Sequence, residues 1–395
     1  MALPLEGIRV IDLGQIFAAP YCTLHLAQMG AEVIKIEPPG AGESLRRAES
    51  SAGGVGYSFL MLNASKRSVT LNLKHRRGRE IVLKLLERGD VLVENYSAGV
   101  MESFGLGYED LRSRFPRLIY ASAKGYASDG PWARLGAMDS TVQASSGLMS
   151  VTGYPDRSGV RTQATLIDMG TGSHLVSGIL AALLQRERSG RGQKVEVAML
   201  DVCVPALTGL IAECLQARKS ERFGNRHRNA CPSDVYPAAD GEILIFCLNE
   251  PHWRALARLM GREEMIGEER FRNHATRLAN VEEVDRVVAG WTRERRRAKL
   301  IADLIAAGVP SAPVRTIEEL TADPEVARRG MLLDSEFPTR GAIKVTGLPI
   351  KLSESPRPGR TLMRPPVLGE HTAEVLADIG IDAAELERLR AEGVV

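Results

Sequence analysis

Through the first 200 residues, short apolar runs alternate with stretches of helical period. Residues 8–12 (Ile-Arg-Val-Ile-Asp) read as a short buried strand. Residues 21–29 read as a helix, with Gly30 where a C-terminal glycine belongs. Residues 32–36 form a second strand, closed by Pro38-Pro39-Gly40. Residues 68–73 alternate as a strand would, residues 79–88 are amphipathic with helical period, and residues 91–93 and 118–122 are further strands. A long helix is expected over 167–185, then a turn at 187–192, a strand over 194–197 and a helix over 200–216. Strands alternating with helices predict a mainly parallel sheet covered on both faces, with ligands beyond the carboxyl ends of the strands.

The pattern changes after the charged, glycine-bearing stretch 219–229, where a boundary is expected. Asp240-Gly241 marks a hairpin between residues 235–237 and 242–246. Helices are expected over 251–260, 281–291 and 297–306. The tail has strand-like pieces near Leu332 and at 343–345, and a helix over 371–376. The expected division is a large domain over 1–223, a small one over 224–325, and a C-terminal segment over 326–395.

Composition narrows the function classes. Lys plus Arg number 51 and Asp plus Glu 49, a net charge of +2 over 395 residues. That balance supplies no general attraction to nucleic acid or an acidic membrane, so neither is expected as a partner. The apolar stretch near 175–184 is too short to span a bilayer, and a buried helix is expected there. Five cysteines without CxxC spacing, and seven histidines without HExxH spacing, predict neither a disulfide framework nor a metal site. A reducing, cytoplasmic setting fits them.

Candidate chemistry is local. The loop 14–20 after the first strand lacks the G-x-G-x-x-G pattern, though Ala18-Ala19-Pro20 lets backbone approach a ligand near helix amides. Lys66-Arg67 and residues 74–77 form a basic run that fits either a phosphate or ordinary surface charge. Asp139 caps or starts a helix. Asp168 opens an apolar helix next to Gly170 and Gly172. Glycine there costs about 1 kcal/mol relative to alanine, which suggests that something approaches the backbone. The macrodipole favours an ionised Asp168, and a purely capping role reads equally well.

Several segments in order carry a family resemblance. They are residues 5–12, 30–37, 66–68, 93–96, 105–108, 146–149, 187–193 and 368–372. With these the chain resembles the family III CoA-transferases, such as formyl-CoA transferase. The resemblance implies an α/β fold with a Rossmann-like large domain, an inserted smaller α+β domain and an intertwined homodimer. It implies Asp168 as the nucleophile, with an acyl-CoA donor and a small carboxylic acid acceptor as partners. The coenzyme A thioester would be substrate, with no permanently bound cofactor and no metal. The family's CoA contacts map onto Phe17 and Ala18, onto Leu71, Asn72, Leu73 and Lys74, onto Asn95, Tyr96 and Ser97, onto Ser103, and onto Gly136, Ala137, Met138 and Asp139. Pro38, Ser97 and Ser103 stand where relatives carry basic residues. Phosphate pairing is therefore expected from Lys74, Arg76 or Arg46-Arg47. No glycine-rich loop is recognisable over 224–250, which argues against formate or oxalate. An α-methylacyl-CoA racemase needs a histidine where Met138 stands, and a non-catalytic acyl-CoA-binding protein would not need Asp168.

Overall fold

In the computed structural model the described residues are 3–48, 54–216, 218–355 and 363–395. The chain starts with β1 (Arg9–Asp12), α1 (Ala18–Gln28), β2 (Glu32–Glu37), α2 (Tyr57–Leu62), β3 (Lys66–Thr70), α3 (Arg76–Leu86) and β4 (Val91–Glu94). It continues through α4 (Val100–Ser103), α5 (Tyr108–Leu111), β5 (Ile119–Lys124), α6 (Asp139–Ser145), α7 (Leu148–Val151), α8 (Leu166–Ser189) and β6 (Lys194–Ala198). The single helix expected over 200–216 is two: α9 (Met199–Ala206), which contains Pro205, and α10 (Thr208–Leu215). Proline removes a helical N–H and clashes with the preceding turn, so the helix breaks just after it.

Next come β7 (Ser233–Ala238), β8 (Gly241–Phe246), α11 (Glu250–Leu259), α12 (Glu264–Gly267), α13 (His274–Ala279), α14 (Val281–Arg293), α15 (Arg297–Ala306) and β9 (Ser311–Val314). The chain closes with α16 (Ile317–Thr321), α17 (Pro324–Arg328), β10 (Leu332–Phe337), β11 (Gly341–Thr346), α18 (Thr372–Ala377) and α19 (Ala383–Ala391).

The fold is mixed α/β around a parallel six-stranded sheet of order β3-β2-β1-β4-β5-β6. The strands read as nearly continuous apolar runs because both faces are covered. Val10, Val33, Val91, Val93, Ile119 and Ala121 pack with α1 and α8. Ile11, Ile34, Leu92 and Tyr120 meet α3, α18 and α19 on the opposite face. Strand order reverses between β1 and β4, which both pair with neighbours in parallel register. In such sheets the crevice at that reversal, outside the carboxyl ends of the strands, is where ligands bind.

By internal packing, residues 1–146, 162–208 and 324–395 form one unit, and 147–161 with 209–323 form a second. Residues 209–223 thus cluster with the second unit, although composition alone grouped them with the first. Within the second unit, β7, β8 and β9 form an antiparallel sheet. It surrounds a core of Trp253, Leu256, Phe271, Val284, Val288, Leu300 and Leu304. The hairpin turns at Ala239-Asp240, where the Asp240 carboxylate accepts the Arg297 amide at 2.7 Å.

Candidate active site

The turn between β1 and α1 is held by side chains from four directions. Asp12 Oδ1 accepts the Gly14 amide at 2.7 Å, and Lys35 Nζ donates to the Gly14 carbonyl at 2.7 Å. Asn95 grips Gln15 on both sides: its Oδ1 accepts the Gln15 amide at 2.7 Å and its Nδ2 donates to the Gln15 carbonyl at 2.8 Å. Glu43 Oε2 accepts the Ile16 amide at 3.3 Å. These contacts hold Ile16 at φ +65°, a conformation that a β-branched residue adopts only when its surroundings force it.

Beneath the turn lies a buried charge network. Lys66 Nζ reaches Asp12, Thr23, Asn63 and the Pro20 carbonyl, all within 3.1 Å. Burial alone would raise the Asp12 carboxyl, but the Lys66 and Lys35 ammonium groups and the Thr23 hydroxyl hold it below its ordinary value. Burial brings Lys66 down to about 8, so both partners are charged at neutral pH.

A cleft of about 580 Å³ opens at the carboxyl ends of β2, β3 and β4. Its walls include Gln15, Pro38, Leu71, Asn72, Leu73, Lys74, Tyr96 and Phe104. The structure gathers Leu71 to Lys74 and Tyr96 along this cleft. Tyr96 is fixed by its amide on Glu94 and its carbonyl on Lys124. Asn72 does not point freely into the cleft: its amide and side chain donate to the Val394 and Gly393 carbonyls, so the C-terminal segment forms part of the wall. Ser103 is not among the residues that line it. It lines a separate cleft of about 660 Å³ with Lys124, Arg134 and Lys194, and its hydroxyl donates to Val100. Ser97 and Gly136 are exposed, as is Met138, which precedes α6. Ala137 passes over Gly125, where any Cβ would overlap it at 1.9 Å.

The basic candidates separate clearly. Arg46 is buried and spends its guanidinium on Glu37, at 2.6 and 2.7 Å, and on the Pro366 carbonyl. That removes it as a phosphate ligand, because its charge is already neutralised inside the fold. Arg76 pairs with Glu80 at 2.8 Å on the surface. Arg47 is exposed. Lys74 is exposed at the cleft, and among the described residues its ammonium has no ion-pair partner. Also among the described residues, no three His, Cys, Asp or Glu side chains are grouped to hold a metal ion.

Asp168 lies in the first turn of α8, half-buried. It does not cap the helix. The amides of Ile167 and Asp168 donate instead to Asp139 Oδ2, at 2.9 and 3.2 Å. Among the described residues the Asp168 carboxylate has no hydrogen-bond or ion-pair partner. Burial, and then the nearby Asp139 charge, push its carboxyl up to about 7. The ionisation expected from the helix macrodipole is therefore outweighed, because another carboxylate already occupies the N-terminal amides. Gly172, four residues further along α8, lies against the Ala18 carbonyl and the Tyr21 ring, so Asp168 stands one helical turn from the contact of α8 with the opening of α1.

The two glycines after Asp168 serve helix packing rather than ligand approach. A Cβ on Gly172 would meet the Ala18 carbonyl at 2.6 Å, and one on Gly170 would meet Val202 at 2.9 Å. Sequence reasoning also missed Gln15 and Gln143. Gln143 was the more accessible of the two, since it stands four residues after Asp139 on one helix face.

The sequence profile described as CoA-transferase family III matches residues 5–372. The chain belongs to CoA-transferase family III. A succinate–glutarate CoA-transferase of Agrobacterium fabrum is 36% identical over 384 residues, covering 95% of this chain and 96% of its own. A succinyl-CoA:mesaconate CoA-transferase of Haloarcula marismortui is 37% identical, covering 96% and 97%. The crystal structure of a CAIB/BAIF family protein from Brucella suis superposes with a TM-score of 0.86 at 31% identity, covering 96% of this chain and 100% of its own. This family III CoA-transferase is thus an enzyme whose substrates are acyl-CoA thioesters.

Proposed function

We propose that the enzyme moves coenzyme A from a dicarboxylic acyl-CoA such as succinyl-CoA to another short dicarboxylic acid, with Asp168 as nucleophile. The names of its relatives support the substrate class. The carrying observation for the mechanism is an unpartnered, half-buried carboxylate at the opening of α8, one helical turn before the contact of Gly172 with Ala18 of α1.

An Asp168 oxygen attacks the thioester carbon. The C–S bond breaks, leaving a mixed anhydride and CoA thiolate. The thiolate attacks the aspartyl carbonyl, forming an aspartyl thioester and releasing the donor carboxylate. The acceptor carboxylate then attacks that thioester, and the returning thiolate takes the acceptor's acyl group and restores Asp168. No net proton is consumed. Covalent catalysis divides a difficult exchange into easier steps, and a shielded carboxylate is a better nucleophile than one immersed in water.

The cleft lined by Leu71 to Lys74 and Tyr96 is the site we assign to the nucleotide end of CoA, with Lys74 offering charge to its phosphates. Phe17 and Ala18 stand at the opening of α1, the helix against which α8 packs. A homodimer also belongs to this reading, with Leu166, Leu184 and Val204, 59%, 60% and 53% exposed on α8 and α9, among the apolar side chains a partner chain would cover. Light scattering checks it, and a monomer at assay concentration refutes it.

The deciding experiment screens acyl-CoA donors against labelled acids by mass spectrometry, in wild type and Asp168→Ala. Transfer in the wild type should vanish in the variant while CoA binding persists. Hydroxylamine added during turnover should modify Asp168. A variant that still transfers CoA, or a wild-type adduct at another residue, ends the mechanism.

A further inference from the structure

A helix opens with N–H groups that have no partner inside it, and the residue before the first turn ordinarily supplies one. In α8 that residue, Thr165, supplies none. The partner comes from a distant segment. Asp139, buried at the start of α6, accepts the Ile167 and Asp168 amides through a single oxygen. Its other oxygen accepts Gln143 Nε2 at 2.5 Å. Gln143 is itself fixed, because its Oε1 accepts the Thr162 amide at 2.9 Å and its Nε2 also reaches the Thr162 carbonyl at 3.3 Å. The carboxylate cannot turn away without breaking this chain of contacts, and charge-assisted bonds of this kind are among the stronger ones.

We propose that Asp139, braced by Gln143, is the positioning residue for Asp168: by holding the Ile167 and Asp168 amides it fixes the backbone that carries Asp168, and as a like charge it turns the Asp168 carboxylate away from the helix opening, toward the thioester. This rests on the reading of Asp168 as nucleophile. Asp168 is the third helical residue, the position whose carboxylate ordinarily folds back onto the amide before the helix. Asp139 accepts the next two amides rather than that one, and as a like charge beside the helix opening it makes the retreat unfavourable. The elements packed against α8 carry other titratable groups: Tyr21, Cys22 and His25 on α1, Tyr120 and Lys124 on β5, Lys194 and Glu196 on β6, and Asp201 and Cys203 on α9. Burial and Asp139 are the two influences on the Asp168 charge.

The test follows single-turnover formation of the aspartyl thioester from succinyl-CoA, without acceptor, across pH. It compares wild type, Asp139→Asn and Gln143→Leu, and mass spectrometry locates the label. In the wild type the rate should rise through about pH 7 as Asp168 ionises. Asp139→Asn should move that limb down by about one pH unit and lower the limiting rate roughly 10- to 100-fold, with KM for succinyl-CoA little changed. Gln143→Leu keeps the charge, so the limb should stay near 7 while the rate falls about 10-fold. Wild-type rate and limb in Asp139→Asn, with Asp168 still labelled, overturn the positioning role and leave the nucleophile standing. No label on Asp168 in the wild type overturns the nucleophile, and the positioning role with it. Should Asp139→Asn fail to fold, Gln143→Leu decides, and a wild-type rate there counts against the proposal.

Discussion

Replacing Asp168 with Asn should make the protein more stable, and only in a particular pH window. The Asp168 carboxyl stands at about 7 in the fold, against 3.8 for an ordinary carboxyl. A raised acid is protonated more readily in the native state than in the unfolded chain. Its stabilising contribution is therefore complete below 3.8 and is lost as pH rises through 7. By linkage the full loss corresponds to roughly 4 kcal/mol. Asp168 is only half-buried, and solvent screening reduces that to about 1–2 kcal/mol. Asparagine has nearly the same shape and never ionises, so it escapes the loss. At pH 8 the variant should unfold about 1–3 °C higher than wild type, and near pH 4 the two should coincide. Differential scanning calorimetry at both pH values measures this directly, without reference to activity. No gain at pH 8, or the same gain at both values, would refute the view that the fold holds an uncomfortable charge at this position.

Other consequences follow from the same contacts. Gly172→Ala should lower stability by about 1–3 kcal/mol despite alanine's better helix propensity, since the new methyl meets the Ala18 carbonyl; thermal unfolding checks it, and a rise in Tm counts against tight α1–α8 packing. Asn95→Ala should release the Gln15 turn and raise KM for acyl-CoA by roughly 10-fold, and steady-state kinetics with unchanged parameters would show that the turn does not depend on this clamp. His25 is buried, which brings its imidazole down to about 4. The fold therefore loses stability as pH falls from 6.5 to 4, up to about 3 kcal/mol. His25→Phe should flatten that part of the urea-unfolding curve against pH, and an unchanged slope sets the idea aside.

Much of this molecule is written locally. Apolar runs of strand length separated by helical periods require a covered parallel sheet, because only burial on both faces accommodates continuous strings such as Val91 to Val93. The positions of β1, β2, β4, β5 and α8 follow from that pattern, and the ordered family segments identified the enzyme class and singled out Asp168. What the pattern cannot carry is the choice of partner across sequence distance. Arg46 looked like a phosphate ligand until Glu37 claimed it. Nothing in the sequence around Asn95 announces the two bonds by which it holds Gln15. Gly172 signals that something approaches the backbone, and only folding shows that α1 does so. The same holds at the centre of the site. Helical periodicity says that amides at the opening of α8 need an acceptor, while the supplier, Asp139, lies about thirty residues away and is selected by packing. Sequence determines which groups must be satisfied; the tertiary structure alone decided which group satisfies each, and in doing so left Asp168 unpartnered.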